Sequence, residues 1–365
     1  MQMKIEKLIE TVSEISDPRR SYGNLRHKLA DILVIGLCTI LCKGEDFTDM
    51  EDFGNEREEW LKTFLELPNG IPDSDTFRRV FERINPAELS NALYDWLGME
   101  RKKRGVIAID GKTICGSSNA KHKAYHVVSA FAAENQITLG EITVDEKSNE
   151  ITAIPQLLDL VDVSGSVVTI DAMGCQIDIA KKIIENKADY CLALKGNQSN
   201  LHDDVKLYFE NLPAEQTVFT KEKGHGRIEK REYFLETDID WLPQRANWAG
   251  LNAIGAVKST VFEKGETRVE TRYFITSMND VNPFAYAVRK HWAIENQLHW
   301  QLDVTFGEDS SRARNDNSPL NLNVLRKTAL ALLKEVDWGR IGLKKKMFIA
   351  ALNPDKLLQV LFAEM

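Results

Sequence analysis

The chain has 365 residues, of which 43% are hydrophobic and 28% are charged, and its formal net charge is -8. This composition is typical of a globular protein and excludes the disordered and fibrous classes. The negative net charge argues against a generic nucleic-acid coat protein, although it leaves local basic patches open. The length exceeds that of one compact core and therefore indicates two or three structural units.

The cysteines and the apolar segments indicate a compartment. The chain contains five cysteines: Cys38, Cys42, Cys115, Cys175 and Cys191. They include no CxxC pair and no signal peptide precedes them, so we expect a reducing, cytoplasmic environment. The most apolar run, LADILVIGLCTILC at 29–42, is shorter than the roughly 20 residues that cross a bilayer, and it carries Asp31. It predicts a buried helix, and we expect no membrane partner.

Residues 1–100 are predicted to be helical and are a candidate for DNA binding. After the apolar helix, DFTDMEDFGNEREEWLKTFLEL predicts an amphipathic helix that ends at PNGIP. The next helix begins in DSDTFRRVFERI, with Asp73 or Ser74 as its cap. Its apolar face comprises Phe77, Val80, Phe81 and Ile84. Arg78 and Arg79 point away from that face, which is compatible either with a helix-turn-helix or with a plain helical bundle.

An alternating α/β pattern begins at residue 105. The segments GVIAIDGKT, HVVSAFAAEN and QITLGEITV predict three adjacent strands. A helix at 150–160, the strand SVVTIDAMG, a helix at 177–186 and the strand ADYCLALKGN follow, so the sheet is expected to be mixed, antiparallel first and then parallel. Residues 200–280 are again rich in strands, in REYFLETD, NAIGAVKSTVF and ETRYFITS, and predict an insertion in the α/β domain.

Three carboxylates mark a candidate site. Asp110 and Asp171 each end a predicted strand, where open α/β sheets place their ligands, although either could be a turn residue. The third is Glu295, in RKHWAIENQLHWQLDV. That segment predicts a helix whose core-facing stripe comprises Val288, His291, Glu295, Leu298 and Leu302. A buried carboxylate is costly unless it is paired, protonated or bound to a cation. The three acids could meet at one sheet edge and hold divalent cations.

This arrangement suits phosphoryl transfer at a phosphodiester. Mg²⁺ takes oxygen ligands, often one or two carboxylates together with substrate oxygens. Two such ions about 3.5–4 Å apart stabilise the attacking and leaving oxygens of an in-line displacement. The sequence therefore predicts Asp110, Asp171 and Glu295 as metal ligands of a nucleic-acid enzyme.

Several segments carry a resemblance to a known family: IAIDGKTICGS, DEKSNEITAIPQLL, TIDAMGCQ, LALKGNQ and RKHWAIENQLHWQLDVTFGEDSSR, preceded by ISDPRR and GIPDSDTFRRVF. In order and separation they resemble the DDE transposases of bacterial insertion sequences, in the branch of the H-repeat-associated proteins. The resemblance implies a ribonuclease-H-like mixed sheet with a β-rich insertion, preceded by an all-helical region. It also implies Asp110, Asp171 and Glu295 as catalytic residues for strand cleavage and strand transfer.

The resemblance further implies cofactors, partners and a domain division. Two Mg²⁺ ions are expected, with Mn²⁺ able to substitute, and double-stranded DNA at element ends and target DNA are the expected partners, bound by a dimer. The division is a helical region at 1–100, a catalytic core at 101–199 and 281–336, a β-rich insertion at 200–280 and a C-terminal helical tail at 337–365.

Phosphate-contacting residues differ from the related transposases. These transposases often carry a tyrosine seven residues before the glutamate, an arginine four residues before it and a lysine seven residues after it. At these positions this chain has Val288, His291 and Leu302. We therefore assign DNA contacts to Arg289, Lys290 and His291. Lys195 and Asn197 follow a strand on the edge of Asp171 and are further DNA candidates, although GN is also a turn signal. Arg78 and Arg79 complete the DNA candidates.

Alternative interpretations of these residues stay open. His291, Glu295 and His299 lie four residues apart and could bind zinc, and His299 could simply pack beside Trp300. Trp292 and Trp300 could stack on an unpaired base, although core packing is the preferred interpretation. Glu308 and Asp309 suggest either a solvated turn or partners for Arg312 and Arg314. A catalytically silent DNA-binding protein, derived from such a transposase, is the alternative to an enzyme.

Overall fold

The computed structural model describes residues 2–19, 25–98, 105–120, 122–144, 149–211, 216–224 and 226–362. The predicted boundary between residues 100 and 101 lies outside this part of the chain, and the domain division stays a prediction. Among the described residues, no helix is both long and apolar enough to span a membrane.

The N-terminal region is helical, as predicted. Its helices are α1 (Gln2–Ser13), α2 (Leu29–Leu41), α3 (Phe47–Glu56), α4 (Glu58–Leu61), α5 (Ser74–Arg83) and α6 (Pro86–Gly98). The predicted buried helix is α2, which is buried along its whole length. The Asp73 side chain caps α5 by accepting a hydrogen bond from the Thr76 amide, and the predicted apolar face of α5 is buried. The amphipathic segment before PNGIP is not one helix, because the chain breaks at Arg57 between α3 and α4.

Within the described ranges, nine strands form one mixed sheet. They are β1 (Val106–Thr113), β2 (His126–Ala132), β3 (Ile137–Val144), β4 (Val167–Ile170), β5 (Asp189–Leu194), β6 (Gln216–Gly224), β7 (Arg227–Glu236), β8 (Ala253–Glu263) and β9 (Glu266–Thr276). Their order is β3-β2-β1-β4-β5-β9-β8-β7-β6. The first three strands are antiparallel, and β1, β4 and β5 are parallel, which is the predicted ribonuclease-H-like arrangement.

Helices cover both faces of the sheet. The helices that follow the first strands in the chain are α7 (Glu150–Leu160), α8 (Ile177–Glu185), α9 (Ser199–Asn211), α10 (Val281–Ala293), α11 (Trp300–Val304), α12 (Ser318–Glu335), α13 (Leu343–Leu352) and α14 (Pro354–Leu361). Of these, α13 and α14 pack on α12 rather than on the sheet. Alternate residues of β1 pack in two different cores. Ile107 and Ile109 join the core that contains α7 and α8, whereas Val106 and Ala108 join the core that contains α2, α10 and α12.

The strand-rich segment at 200–280 is confirmed as four strands that continue the sheet. It begins with α9, which the sequence did not predict. β9 pairs antiparallel with β5, and Leu194 at the end of β5 lies opposite Tyr273. Residues 266–272 of β9 therefore extend past the carboxyl end of β5, by about 20 Å at the usual rise of a strand. We call this projecting part of β6 to β9 the β extension.

The α12 helix links the N-terminal region to the sheet. Sixteen consecutive residues, from Ser318 to Leu333, are buried. The side chain of Leu325 approaches Gly36 of α2 so closely that a Cβ there would lie 3.3 Å from it. The Lys327 ammonium reaches the other way, to Ser129 of β2 at 2.9 Å and Glu141 of β3 at 2.5 Å.

Candidate active site

Asp110 and Asp171 lie side by side on neighbouring strands. Ile109 of β1 pairs with Ile170 of β4, so the next residue of each chain segment is one of the aspartates. Neighbouring strands are about 5 Å apart, which brings the two carboxylates to one edge of the sheet. Asp171 follows its strand as predicted. The expectation that Asp110 also ends a strand is wrong, because β1 continues to Thr113 through its antiparallel pairing with β2.

Glu295 lies in a π-helical turn, Ile294–His299, between α10 and α11. The Trp300 amide donates to the Glu295 carbonyl, an i to i+5 bond that widens the turn. Lys334 of α12 anchors this turn by donating to the Gln297 carbonyl at 2.7 Å, and burial lowers the pKa of Lys334 to about 7.

The predicted burial of Glu295 is wrong. Val288, Leu298 and Leu302 of the predicted stripe are buried, whereas Glu295 is exposed. The wide turn breaks the regular α-helical spacing on which the stripe depends and lets the glutamate leave the apolar face. Glu295 needs no counter-ion to offset burial in the core.

Electrostatics nevertheless couple the three acids. The pKa of Asp110 is raised to about 7, chiefly by burial and then by the charges of Glu295, Asp171 and Glu150, against the lowering effect of the Gly111 amide. Mutual repulsion of this kind requires that the carboxylates lie near one another. The structure thus brings Asp110, Asp171 and Glu295 to one site and adds Glu150 to it.

Two neutral histidines flank the carboxylates. His299 is buried, with its Nδ1 3.6 Å from the Asp110 Oδ2, too far for a hydrogen bond. Burial lowers the pKa of His299 to about 3, so this contact is not an ion pair at neutral pH. His291 bonds through Nδ1 to the Thr169 hydroxyl at 3.0 Å, and burial lowers its pKa to about 4 although Asp171 opposes the shift. His291 is held by Thr169, whereas His299 is buried beside Asp110 without a hydrogen bond to it. The described residues include no group of three such side chains that could hold one ion, so the zinc interpretation of His291, Glu295 and His299 finds no support.

Asp171 is also a turn residue. Its Oδ1 accepts from the amides of Met173 and Gly174, at 3.0 and 3.3 Å. The Asn197 side chain fixes the same loop by donating to the Ala172 carbonyl at 2.7 Å. The turn interpretation of Asp171 is therefore confirmed, its role in a site stays a prediction, and Asn197 uses its amide on the protein.

Glu150, the first residue of α7, closes one side of the site. Its carboxylate lies 2.7 Å from the Nε2 of His126, whose Nδ1 bonds to the Thr113 hydroxyl. Gly111 leaves room for this pair, since a Cβ there would lie 2.3 Å from Glu150 Oε1 and 2.4 Å from His126 Nε2. This steric demand explains the glycine of IDGKT.

Lys112 binds a second acidic cluster that sequence reasoning missed. Its ammonium lies 2.7 Å from Asp303, 3.4 Å from Glu308 and 3.8 Å from Asp309. Glu308 is 0% exposed and lies near Arg326 of α12, so the expected solvated turn is wrong for Glu308. The one sequence signal was that Lys112 follows Asp110 by two and so shares its face of the strand, which places the lysine beside the site but does not identify its acidic partners.

Among the described residues, no three or more histidine, cysteine, aspartate or glutamate side chains lie close enough to hold one metal ion together. The acids are neighbours that interact through their charges.

Comparison with known proteins identifies the family. The family described as "Transposase DDE domain" matches residues 101–332, and the one described as "DDE_Tnp_1-associated" matches residues 9–97. The chain belongs to the DDE transposases.

The "Putative transposase YncI" of Escherichia coli O157:H7 is 40% identical over 98% of this chain and 95% of its own length. The "H repeat-associated putative transposase YhhI" of Escherichia coli (strain K12) is 37% identical over 98% of both chains, so this transposase is of the H-repeat branch. A cryo-EM structure of the piggyBac transposase synaptic complex with hairpin DNA has a TM-score of 0.42 and 11% identity, over 100% of this chain and 80% of that chain.

The two tryptophans near Glu295 lie on the surface of the transposase. Trp292 is 37% exposed and Trp300 is 53% exposed, so the preferred interpretation as core packing is wrong. The Arg272 guanidinium of β9 lies over the Trp292 ring, 4.7 Å from its centroid. This contact joins the β extension to the helix that leads to Glu295.

The side chains predicted to contact DNA differ in whether they are already paired with other groups of the transposase. Arg289 forms a bidentate pair with Glu222 of β6, at 3.1 and 3.0 Å, and Lys290 lies over the Tyr286 ring. Lys195 is exposed at the end of β5. His291 is occupied by Thr169. In the N-terminal region, Arg78 binds both Asp75 and Glu82, and Arg79 binds Asp75.

Proposed function

We propose that this transposase cleaves DNA strands and transfers them at the ends of an insertion element, with Asp110, Asp171 and Glu295 as its catalytic residues. The observation that carries this proposal is the shared site of the three acids. The pKa of Asp110, raised to about 7, responds to both of the others although they lie far apart in sequence.

The donor set suits divalent cations. Its three carboxylates are hard oxygen donors of the kind that Mg²⁺ prefers, with Mn²⁺ as a substitute. Their mutual repulsion, and the buried His299 Nε2 that has no hydrogen-bond partner in the described part of the chain, are both features that a hydrated cation would relieve. Two such ions, when bound, would make a water or hydroxyl a better nucleophile and stabilise the departing oxygen.

The chain's own groups hold the acids in place. Asp171 uses Oδ1 in its turn, so Oδ2 is its available ligand atom. His291 and His299 stay neutral at physiological pH, so neither competes with a cation for the carboxylates. The π-helical turn, anchored by Lys334, presents Glu295 at the surface, where a DNA strand can reach it.

The proposed partners are double-stranded DNA at the element ends and target DNA, bound by a dimer. Lys195, Arg289 and Lys290 lie near the carboxylates or on the helix that leads to Glu295, and they are proposed to contact phosphates. For Arg289 this requires release from Glu222.

One observation favours a second candidate function, a DNA-binding protein that no longer cuts. The described residues hold no three acids close enough to share an ion. Two-ion sites divide their ligands between the ions, so the observation does not exclude the enzyme.

Strand nicking tests the proposal. A plasmid that carries this gene's own flanking DNA is incubated with and without Mg²⁺, using the wild type, Glu295→Gln and the exposed-helix control Glu185→Gln. Nicks at the flanks should require Mg²⁺ and disappear only in Glu295→Gln. Specific binding without nicks, and without Mg²⁺-induced thermal stabilisation, would support the silent protein instead. Full activity of Glu295→Gln would refute the assignment of the glutamate.

A further inference from the structure

The β extension has two faces with different charge chemistry. Side chains alternate between the faces along each strand, and the register aligns them across β6 to β9. The face turned away from α10, which we call the lysine face, carries Lys221, Lys223, Lys230, Lys258, Phe219 and Phe262. The opposite face carries Arg227, Arg231, Arg268 and Arg272.

Ion pairing separates the two faces. Each arginine of the opposite face is paired with a glutamate, as in Arg231 with Glu229 and Arg272 with Glu270. By contrast, no carboxylate of the described chain lies within the 4.0 Å of an ion pair from any of the four lysines. Among the described strand residues, the only acid on the lysine face is Glu232, the cross-strand neighbour of Lys258, and the other three lysines face no acid across the register. The arginine face is therefore already neutralised, whereas the lysine face keeps a net positive charge on a protein of net charge -8.

The arrangement of the lysines is unfavourable for the isolated protein. Lys221 and Lys230 are direct cross-strand partners, and like charges in that position destabilise a sheet. Lysines also protect edge strands from pairing, which would explain Lys221 and Lys223 on the outer strand β6. Lys230 and Lys258 are on inner strands, where no edge needs protection. A bound polyanion would offset the repulsion between the lysines, because each ammonium would then attract a negative charge of the polyanion.

Exposed aromatic rings lie among these lysines. Phe219 is 56% exposed and Phe262 is 37% exposed, and the Lys230 ammonium lies 5.3 Å from the Phe262 centroid. Basic groups interleaved with exposed aromatics fit a nucleic-acid backbone and its sugars better than an apolar protein partner.

The β extension projects beyond the sheet edge that holds Asp110 and Asp171, because β5 is parallel to β4 and β9 passes its carboxyl end. DNA bound at the carboxylates would therefore continue alongside the extension. We propose that the lysine face binds the sugar–phosphate backbone of duplex DNA that flanks the cleavage site. This inference rests on the proposed function for the identity of the DNA.

Salt-dependent binding tests the inference. Fluorescence anisotropy measures the Kd of the full chain for a labelled duplex from the gene's flank, over a series of NaCl concentrations. The test variant combines K221Q, K223Q, K230Q and K258Q, and the matched control combines K62Q, K181Q, K187Q and K344Q, four exposed lysines elsewhere. The slope of log K against log salt should fall by about 0.9 for each phosphate that the protein no longer neutralises, and the Kd at physiological salt should rise at least tenfold, in the test variant only.

Three results would overturn the inference: an unchanged slope, an equal loss in the control, or binding of the single strand as tight as that of the duplex. A loss of self-association in the test variant, with DNA binding intact, would reassign the face to a second copy of the chain. Thermal unfolding of the test variant controls for misfolding. Removal of the like-charge pair should leave the melting temperature unchanged or raise it. Nicking assays on the wild type are run in parallel. If the test variant binds DNA more weakly and the wild type does not nick DNA, the proposed function is refuted, whereas the inference that the lysine face binds DNA is supported.

Discussion

Lys327 of α12 should be among the most sensitive positions for stability. Its ammonium is almost fully buried between Ser129 and Glu141, and the Tyr94 hydroxyl of α6 donates to the same Glu141 oxygen at 3.0 Å. Lys327→Met leaves the Glu141 carboxylate buried without its cation. Removal of one partner from a buried ion pair costs about 3–5 kcal/mol. Because Tyr94 and solvent at the site's margin still reach Glu141, we expect the lower end, about 3 kcal/mol.

Chemical unfolding followed by tryptophan fluorescence measures this destabilisation. The matched control is Lys182→Met, whose partner Asp159 is well exposed and whose removal should cost at most about 1 kcal/mol. The double variant Lys327→Met/Glu141→Gln removes the stranded charge but keeps an acceptor for Tyr94. It should recover much of the stability that Lys327→Met forfeits. Equal small effects of Lys327→Met and Lys182→Met would refute the reasoning, as would a double variant less stable than Lys327→Met.

Two further predictions concern pH and packing. His299 stays neutral in the fold down to about pH 3, whereas an unfolded imidazole takes a proton near pH 6.5, so the unfolded state binds more protons between these values and stability falls as the pH falls. His299→Gln should reduce the slope of the unfolding free energy between pH 6 and 4.5 by about 1.4 kcal/mol per pH unit in urea unfolding, and an unchanged slope would contradict the burial of the ring. Gly255→Ala should cost about 1–3 kcal/mol, because its Cβ would lie 2.4 Å from the buried Phe284 ring, whereas Gly342→Ala, with open space around it, should be near neutral in thermal unfolding. Equal effects of the two substitutions would argue against that close approach.

Local patterns were enough to predict most of the fold. Strands such as β4 and helices such as α7 appear in the sequence as short apolar runs and capped amphipathic segments, because those signals depend on near neighbours alone. The two aspartates were placed at one edge for the same reason. The carboxyl ends of parallel strands meet there, and the pairing of Ile109 with Ile170 completes the alignment.

The rest depends on contacts that no local pattern contains. An i to i+5 turn has no simple sequence signature, so the exposure of Glu295 could not be read from a 3.6-residue period. The partners of Glu308 and Glu141 are Lys112 and Lys327, which lie 186 or more residues from them in the sequence, and only the folded sheet brings these pairs together. Trp300 appeared apolar enough for a core, but its position after the wide turn leaves it at the surface.

The burial of α12 sets the order in which this protein can be completed during synthesis. The N-terminal helices emerge from the ribosome first, but part of their apolar surface is covered only by α12, more than 200 residues later. Until then α2 and α6 expose surface that a chaperone or a misfolded segment can occupy. Glu295 also joins Asp110 late, after all four strands of the β extension. A chain that ends before Glu295 therefore cannot hold the three acids together, and the site is complete only after most of the polypeptide has been released.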